Sequence, residues 1–176
     1  MKLSALVGAA LQLATLAAAG PIDVKANEQT SFLIYGGFIT QKPTGNSYGV
    51  WAAYPDLGDC KKFSKLGFYF EMSDVSHDKG VACDGEGCLY KKKDPVAVDR
   101  LEINAYNDKK DHYTWYKNRD NHLVDFNDKV VGTCLPAPNV DSFVCSEKDI
   151  DPILDLSKAD MKTFFRCNTN IPIPFW

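Results

Sequence analysis

Histidine, methionine and tryptophan each occur only three times in the 176 residues. No C-x-x-C pair is present, and no histidine is spaced with a cysteine as a zinc finger requires. No G-x-S-x-G turn presents a serine nucleophile. No N-x-S/T acceptor exists, which excludes N-glycosylation. Excess positive charge is also lacking: the net charge is −3, which argues against nucleic-acid binding by a broad basic face. After the first 19 residues no apolar run is long enough to span a bilayer. No internal repeat or low-complexity linker breaks the order, so a single domain is expected.

Against these absences stands a distinct start. Lys2 is followed by an apolar run through Leu3, Leu6, Val7, Leu11, Leu13 and Leu16, which closes on Ala17, Ala18 and Ala19. That order is a secretory signal peptide over residues 1–19, and it predicts a secreted, extracellular mature domain over residues 20–176. The six cysteines, Cys60, Cys83, Cys88, Cys134, Cys145 and Cys167, all lie in that mature part. An even number in a secreted chain predicts three disulfides.

The body of the chain reads as strands. Residues 31–41 are apolar and rich in β-formers, with the Gly36-Gly37 pair predicting a bulge or bend. Residues 48–54 follow after the turn KPTGNS. Residues 67–72 alternate, with Phe68, Phe70 and Met72 opposite Tyr69 and Glu71, and residues 100–106 alternate in the same way. Such alternation implies antiparallel sheet with one buried and one wetter face. Residues 113–117 form a further strand. The glycines of CDGEGC bring Cys83 near Cys88 and leave their pairing open.

Two expectations concern the C-terminal third. Residues 130–134 and 142–145 flank LPAPN, in which Pro136, Pro138 and Asn139 favour a turn. The pattern predicts a hairpin closed by a Cys134–Cys145 bridge, which would contribute about 3 kcal/mol. Ser157 then opens SKAD, a cap-like start, and Met161, Phe164 and Phe165 fall at helical spacing. One short helix ending near Cys167 is predicted, with an extended tail from about residue 168, because Pro172 and Pro174 cannot continue it. The expected fold class is therefore all-β, an antiparallel barrel or sandwich with one short C-terminal helix, stabilised by disulfides.

The segments CLPAPNVDSFVC, residues 134–145, and ITQKPTGNSYGVWA, residues 39–52, carry a likeness. Up to about Asp155 the mature chain resembles the secreted β-barrel family typified by the major allergen of the fungus Alternaria. The resemblance implies a fungal effector or allergen-like barrel with no catalytic centre and no cofactor or metal, acting on host molecules by binding. It also implies pairing of Cys60 with Cys83, leaving Cys88 for Cys167. The chain departs from the family in its extra cysteine pair and in the stretch beyond Ser157. It lacks the early cysteine of a covalent dimer, so a monomer or a non-covalent dimer is expected.

Three sets of residues are candidates for a site. Tyr48, Trp51, Tyr54, Tyr113, Trp115 and Tyr116 supply planar rings suited to a sugar face or a protein partner, which points to a host extracellular protein or a cell-wall glycan as ligand. Glu71 or Glu102, with Arg100 and His112, supply the base, phosphate holder and acid types of a guanyl-specific ribonuclease, and Asp111-His112-Tyr113 resembles that family's histidine strand. Asp111, His112, Asp120 and His122 fit no metal-ligand spacing. The cluster Lys91, Lys92 and Lys93 reads as a solvated turn.

Overall fold

The computed structural model describes residues 30–106 and 111–171; the predicted signal peptide and the end of the predicted tail lie outside the described residues. Ten strands, β1 (Thr30–Gln41), β2 (Ser47–Tyr54), β3 (Tyr69–Met72), β4 (Gly80–Gly85), β5 (Val98–Asn104), β6 (His112–Tyr116), β7 (His122–Asp125), β8 (Val130–Pro136), β9 (Ser142–Ser146) and β10 (Leu156–Thr169), form one sheet. The strands run in chain order from β1 to β8, then to β10, which pairs back onto β1 and closes a nine-strand barrel. β9 stands outside the closure, on the first half of β10. Every pairing is antiparallel except the short contact of β3 with β4. Closure leaves the nine barrel strands no free edge, which removes the usual route to edge-to-edge aggregation.

The predicted C-terminal helix is corrected to β10. Ala159, Met161 and Thr163, then Phe165, Cys167 and Thr169, are buried at period two, while Lys158, Asp160, Arg166 and Asn168 are exposed. The register with β1 shifts twice, between Thr40 and Gln41 and between Ile34 and Tyr35; the latter shift pairs Ile34 with Phe165 and Tyr35 with Thr163, so Phe164 is the extra residue of a bulge. That bulge turns two consecutive phenylalanines into the interior and produced the helix-like spacing. The bulge predicted at Gly36-Gly37 therefore lies on the partner strand, and the two glycines pair regularly.

The predicted hairpin does not form. β8 pairs with residues 165–169 of β10 and β9 with residues 158–162, so the two lie end to end along one partner. The connection 137–141 wraps the bulge instead. The buried Thr163 hydroxyl donates to the Ala137 carbonyl at 2.7 Å and accepts from the Asp141 N–H at 3.2 Å.

All three expected cysteine pairings are corrected in consequence. Cys134 faces Cys167 across β8 and β10 and is bonded to it. Cys60 is bonded to Cys145, and Cys83 to Cys88. The number of bridges is as expected and no cysteine is free.

Two cores result. The barrel interior holds Phe32, Ile34, Trp51, Leu101, Ile103, Trp115, Phe164 and Phe165. A second core lies on the outer face of β1, β2 and β10, where Leu33, Tyr35, Ile39, Val50 and Met161 meet Phe63 and Cys145. β1 and β2 are thus covered on both sides, which explains their nearly unbroken apolar sequences. The cover includes α1 (Cys60–Leu66), a short helix in a largely polar stretch. Asp59 caps it by accepting the Lys62 N–H at 2.8 Å, Gly67 ends it at φ 80°, and the Cys60–Cys145 bridge ties it to β9.

Candidate functional site at the barrel mouth

β1 extends past the filled interior. Beyond Phe32 and Ile34, the same face of the strand carries Gly36, Phe38 and Thr40, which pair in register with Lys162, Asp160 and Lys158 of β10. Across β2 their partners are Trp51, Gly49 and Ser47. This lip and the loop of residues 86–94 enclose a cleft of about 380 Å³, lined by Gly36, Phe38, Thr40, Lys93, Asp160 and Lys162 among others. Gly36 has a packing reason: a Cβ there would lie 2.9 Å from both Leu89 and the Phe164 ring, so the loop seats only against a bare backbone.

Charge converges on this cleft. Lys158 pairs with Asp160 at 3.3 Å. The Lys162 ammonium donates to the Lys93 carbonyl, and the Lys93 ammonium lies 4.1 Å from the centroid of the Phe38 ring. The cleft lining thus holds three lysines and one carboxylate, which is paired with Lys158. Lys93 sits at φ 53°, in the left-handed region that non-glycine residues rarely adopt. Next to it, the hydroxyls of Thr40 and Ser47 are 3.1 Å apart.

The loop is held from three sides. The Cys83–Cys88 bridge clamps its base. Tyr90 accepts the Gly49 N–H at 2.6 Å and meets Phe38 edge-on at 5.5 Å. Glu71 accepts the Trp51 indole N–H at 2.8 Å together with the N–H groups of Leu89 and Tyr90. Burial pushes the Glu71 carboxyl above the usual range, against the pull of those hydrogen bonds. The faces of β3 are thus the reverse of the apolar expectation: Phe70 and Met72 are exposed and Glu71 points inward.

The predicted aromatic patch is corrected. Trp51, Tyr54, Tyr113 and Trp115 are buried, leaving Tyr48 and Tyr116 half-buried on separate strands. The rings serve as filling: Trp115 packs 4.5 Å from Phe165 and donates to the Cys134 carbonyl at 2.9 Å. A nine-strand barrel has a wide interior, and large rings occupy it.

The ribonuclease residues are brought together only in part. Arg100, Glu102 and His112 meet on the outer face of β5 and β6, and Glu71 stays inside. His112 Nε2 is 2.7 Å from Glu102 Oε1, with the side chains only 11% and 14% exposed. Arg100 is held by Asp84 at 2.7 Å and lies 3.6 Å from Glu102. The candidate acid and base are bonded to each other, and the guanidinium that would hold phosphate is matched by two carboxylates.

The residues missed from sequence are Phe38, Lys158, Asp160 and Lys162, with Lys93 turned from a solvated run into the cleft. The signal was the alternation in KADMK, which places both lysines and the aspartate on one face of a strand.

Fold and cleft together define a class: a closed, disulfide-stapled β-barrel with a cationic mouth, a position in which barrels commonly take small ligands. No protein family matches the chain, and no curated protein or solved structure does.

Proposed function

We propose that the protein is a secreted, non-enzymatic binding protein of the fungal effector or allergen-like kind, acting on extracellular host molecules, and that it binds through the barrel mouth. The observation that carries the reading is the cleft in which three lysines and one aspartate surround Phe38 at the end of an otherwise packed interior. Three disulfides support an oxidising compartment. Among the described residues no helix is long and apolar enough to cross a membrane. The test is capture of the pure mature chain on host cell-wall polysaccharide and extracellular protein fractions. Ser47→Trp, which fills the mouth from its exposed rim, abolishes capture; undiminished capture overturns the reading.

A second reading rests on the Glu102–His112 contact of 2.7 Å beside Arg100. It requires the pair to open around a phosphate, since general acid and base act on opposite sides of an in-line displacement. Incubation with RNA is expected to give no cleavage. Cleavage that disappears in His112→Ala would establish the ribonuclease instead.

A further inference from the structure

Resting on the mouth as the binding site, we infer that its ligand is an acidic saccharide, a uronic acid residue of a glycan chain. Among the described residues the Lys93 and Lys162 ammoniums contact a carbonyl and aromatic rings but form no ion pair with a carboxylate. Each ammonium has three donors, so both have capacity left for an anion entering between them. The same cleft also offers acceptors: the Asp160 carboxylate and the paired hydroxyls of Thr40 and Ser47. A bare phosphate or sulfate satisfies only the lysines and is repelled by Asp160. A neutral sugar satisfies only the acceptors. A uronate carries both an anion and hydroxyl donors, so one ligand answers the lysines and the acceptors together. A nucleotide is disfavoured because Lys93 already covers a face of Phe38 on which a base would stack.

The experiment is isothermal titration of the whole mature chain with an oligogalacturonate, its methyl ester, a neutral oligosaccharide of equal length, adenosine monophosphate and inorganic phosphate. The acid binds, and esterification weakens it about tenfold or more, the lower end of what a charge-assisted hydrogen bond contributes. Lys93→Gln and Lys162→Gln each weaken the acid alike, and added salt weakens it further. Asp160→Asn weakens the uronate while leaving phosphate unchanged or tighter, a split that a general loss of structure does not produce. Equal binding of acid and ester, or phosphate or the nucleotide binding as tightly as the uronate, overturns the inference. If the neutral oligosaccharide binds equally and Ser47→Trp removes it, the mouth stands and the acidic ligand falls. If no saccharide binds and capture on wall fractions ignores Ser47→Trp, both fall.

Discussion

The three disulfides divide two jobs that are usually confounded, and removing them one at a time separates the two. In the chain-entropy account a bridge stabilises by the loop it closes in the unfolded chain. The separations are 85 residues for Cys60–Cys145, 33 for Cys134–Cys167 and 5 for Cys83–Cys88. These lengths correspond to about 4.5, about 4 and about 2 kcal/mol. At about 3 °C per kcal/mol for a domain of this size, the melting temperature falls by about 13 °C without Cys60–Cys145 and about 6 °C without Cys83–Cys88. The Cys134–Cys167 pair is fully buried, so its removal to alanine adds a cavity cost to the entropic one. Binding follows the opposite order. The short bridge clamps the loop that presents Leu89 and Lys93, whereas the long one ties α1 to β9 on the far face of the sheet. Paired cysteine-to-alanine variants, melted by calorimetry and titrated with the mouth ligand, test both orders together. A Cys83/Cys88 variant that melts lower than the Cys60/Cys145 variant refutes the loop argument, and one that binds undiminished refutes the clamp.

The remaining expectations concern single residues. Gly37→Ala places a Cβ 2.0 Å from the Asp160 carbonyl in the seam that closes the barrel, where backbone has little room to retreat; it costs about 3 kcal/mol or more, read from the urea midpoint. Glu71 has a raised folded value, so the native state holds its proton more readily than the unfolded chain. Its contribution to stability is complete below the ordinary glutamate range and is lost as pH rises through the raised value. Against Glu71→Gln, melting across pH 4 to 7 (about the range of a perturbed carboxyl) shows this slope in the wild type only, and identical slopes refute it. Tyr35→Phe removes the bond to Asp141 at 2.6 Å and the nearer of two acceptors of the Gly58 N–H, at 2.7 Å, leaving it Asp141 at 3.1 Å, and costs about 1–3 kcal/mol in urea unfolding; an unchanged midpoint contradicts that latch.

Much of the barrel was legible where one strand's own pattern decides its state. β1, β2, β5 and β6 lie within a few residues of their expected places, because continuous apolar runs or strict alternation identify them without knowledge of a partner. β7 was not, since its four residues sit between turn-forming segments; Asp120 and Asn121, at φ 52° and 60°, make the tight connection from β6 that its sequence NRDN only hints at. α1 escaped for a related reason. Seven residues with one buried phenylalanine carry no helical stripe, and the helix owes its place to Asp59, Gly67 and a bridge to a strand 85 residues away.

β10 shows how one local ambiguity spreads. Met161, Phe164 and Phe165 fit a helix or a bulged strand, and only the register with β1 decides between them. With β10 removed from the sheet, β8 and β9 have no partner but each other. A hairpin then follows, and the nearest cysteines are joined across it. Restored as a strand, β10 separates β8 from β9, places Cys167 opposite Cys134, closes the barrel on β1 and turns Lys158, Asp160 and Lys162 onto the face that meets Phe38. Closure of the fold and assembly of the mouth are therefore one event, because the same fourteen residues do both. A substitution that opens the β1–β10 seam, such as Gly37→Ala, loses the ligand in step with its loss of stability, whereas Lys162→Gln loses the ligand with the melting temperature nearly unchanged.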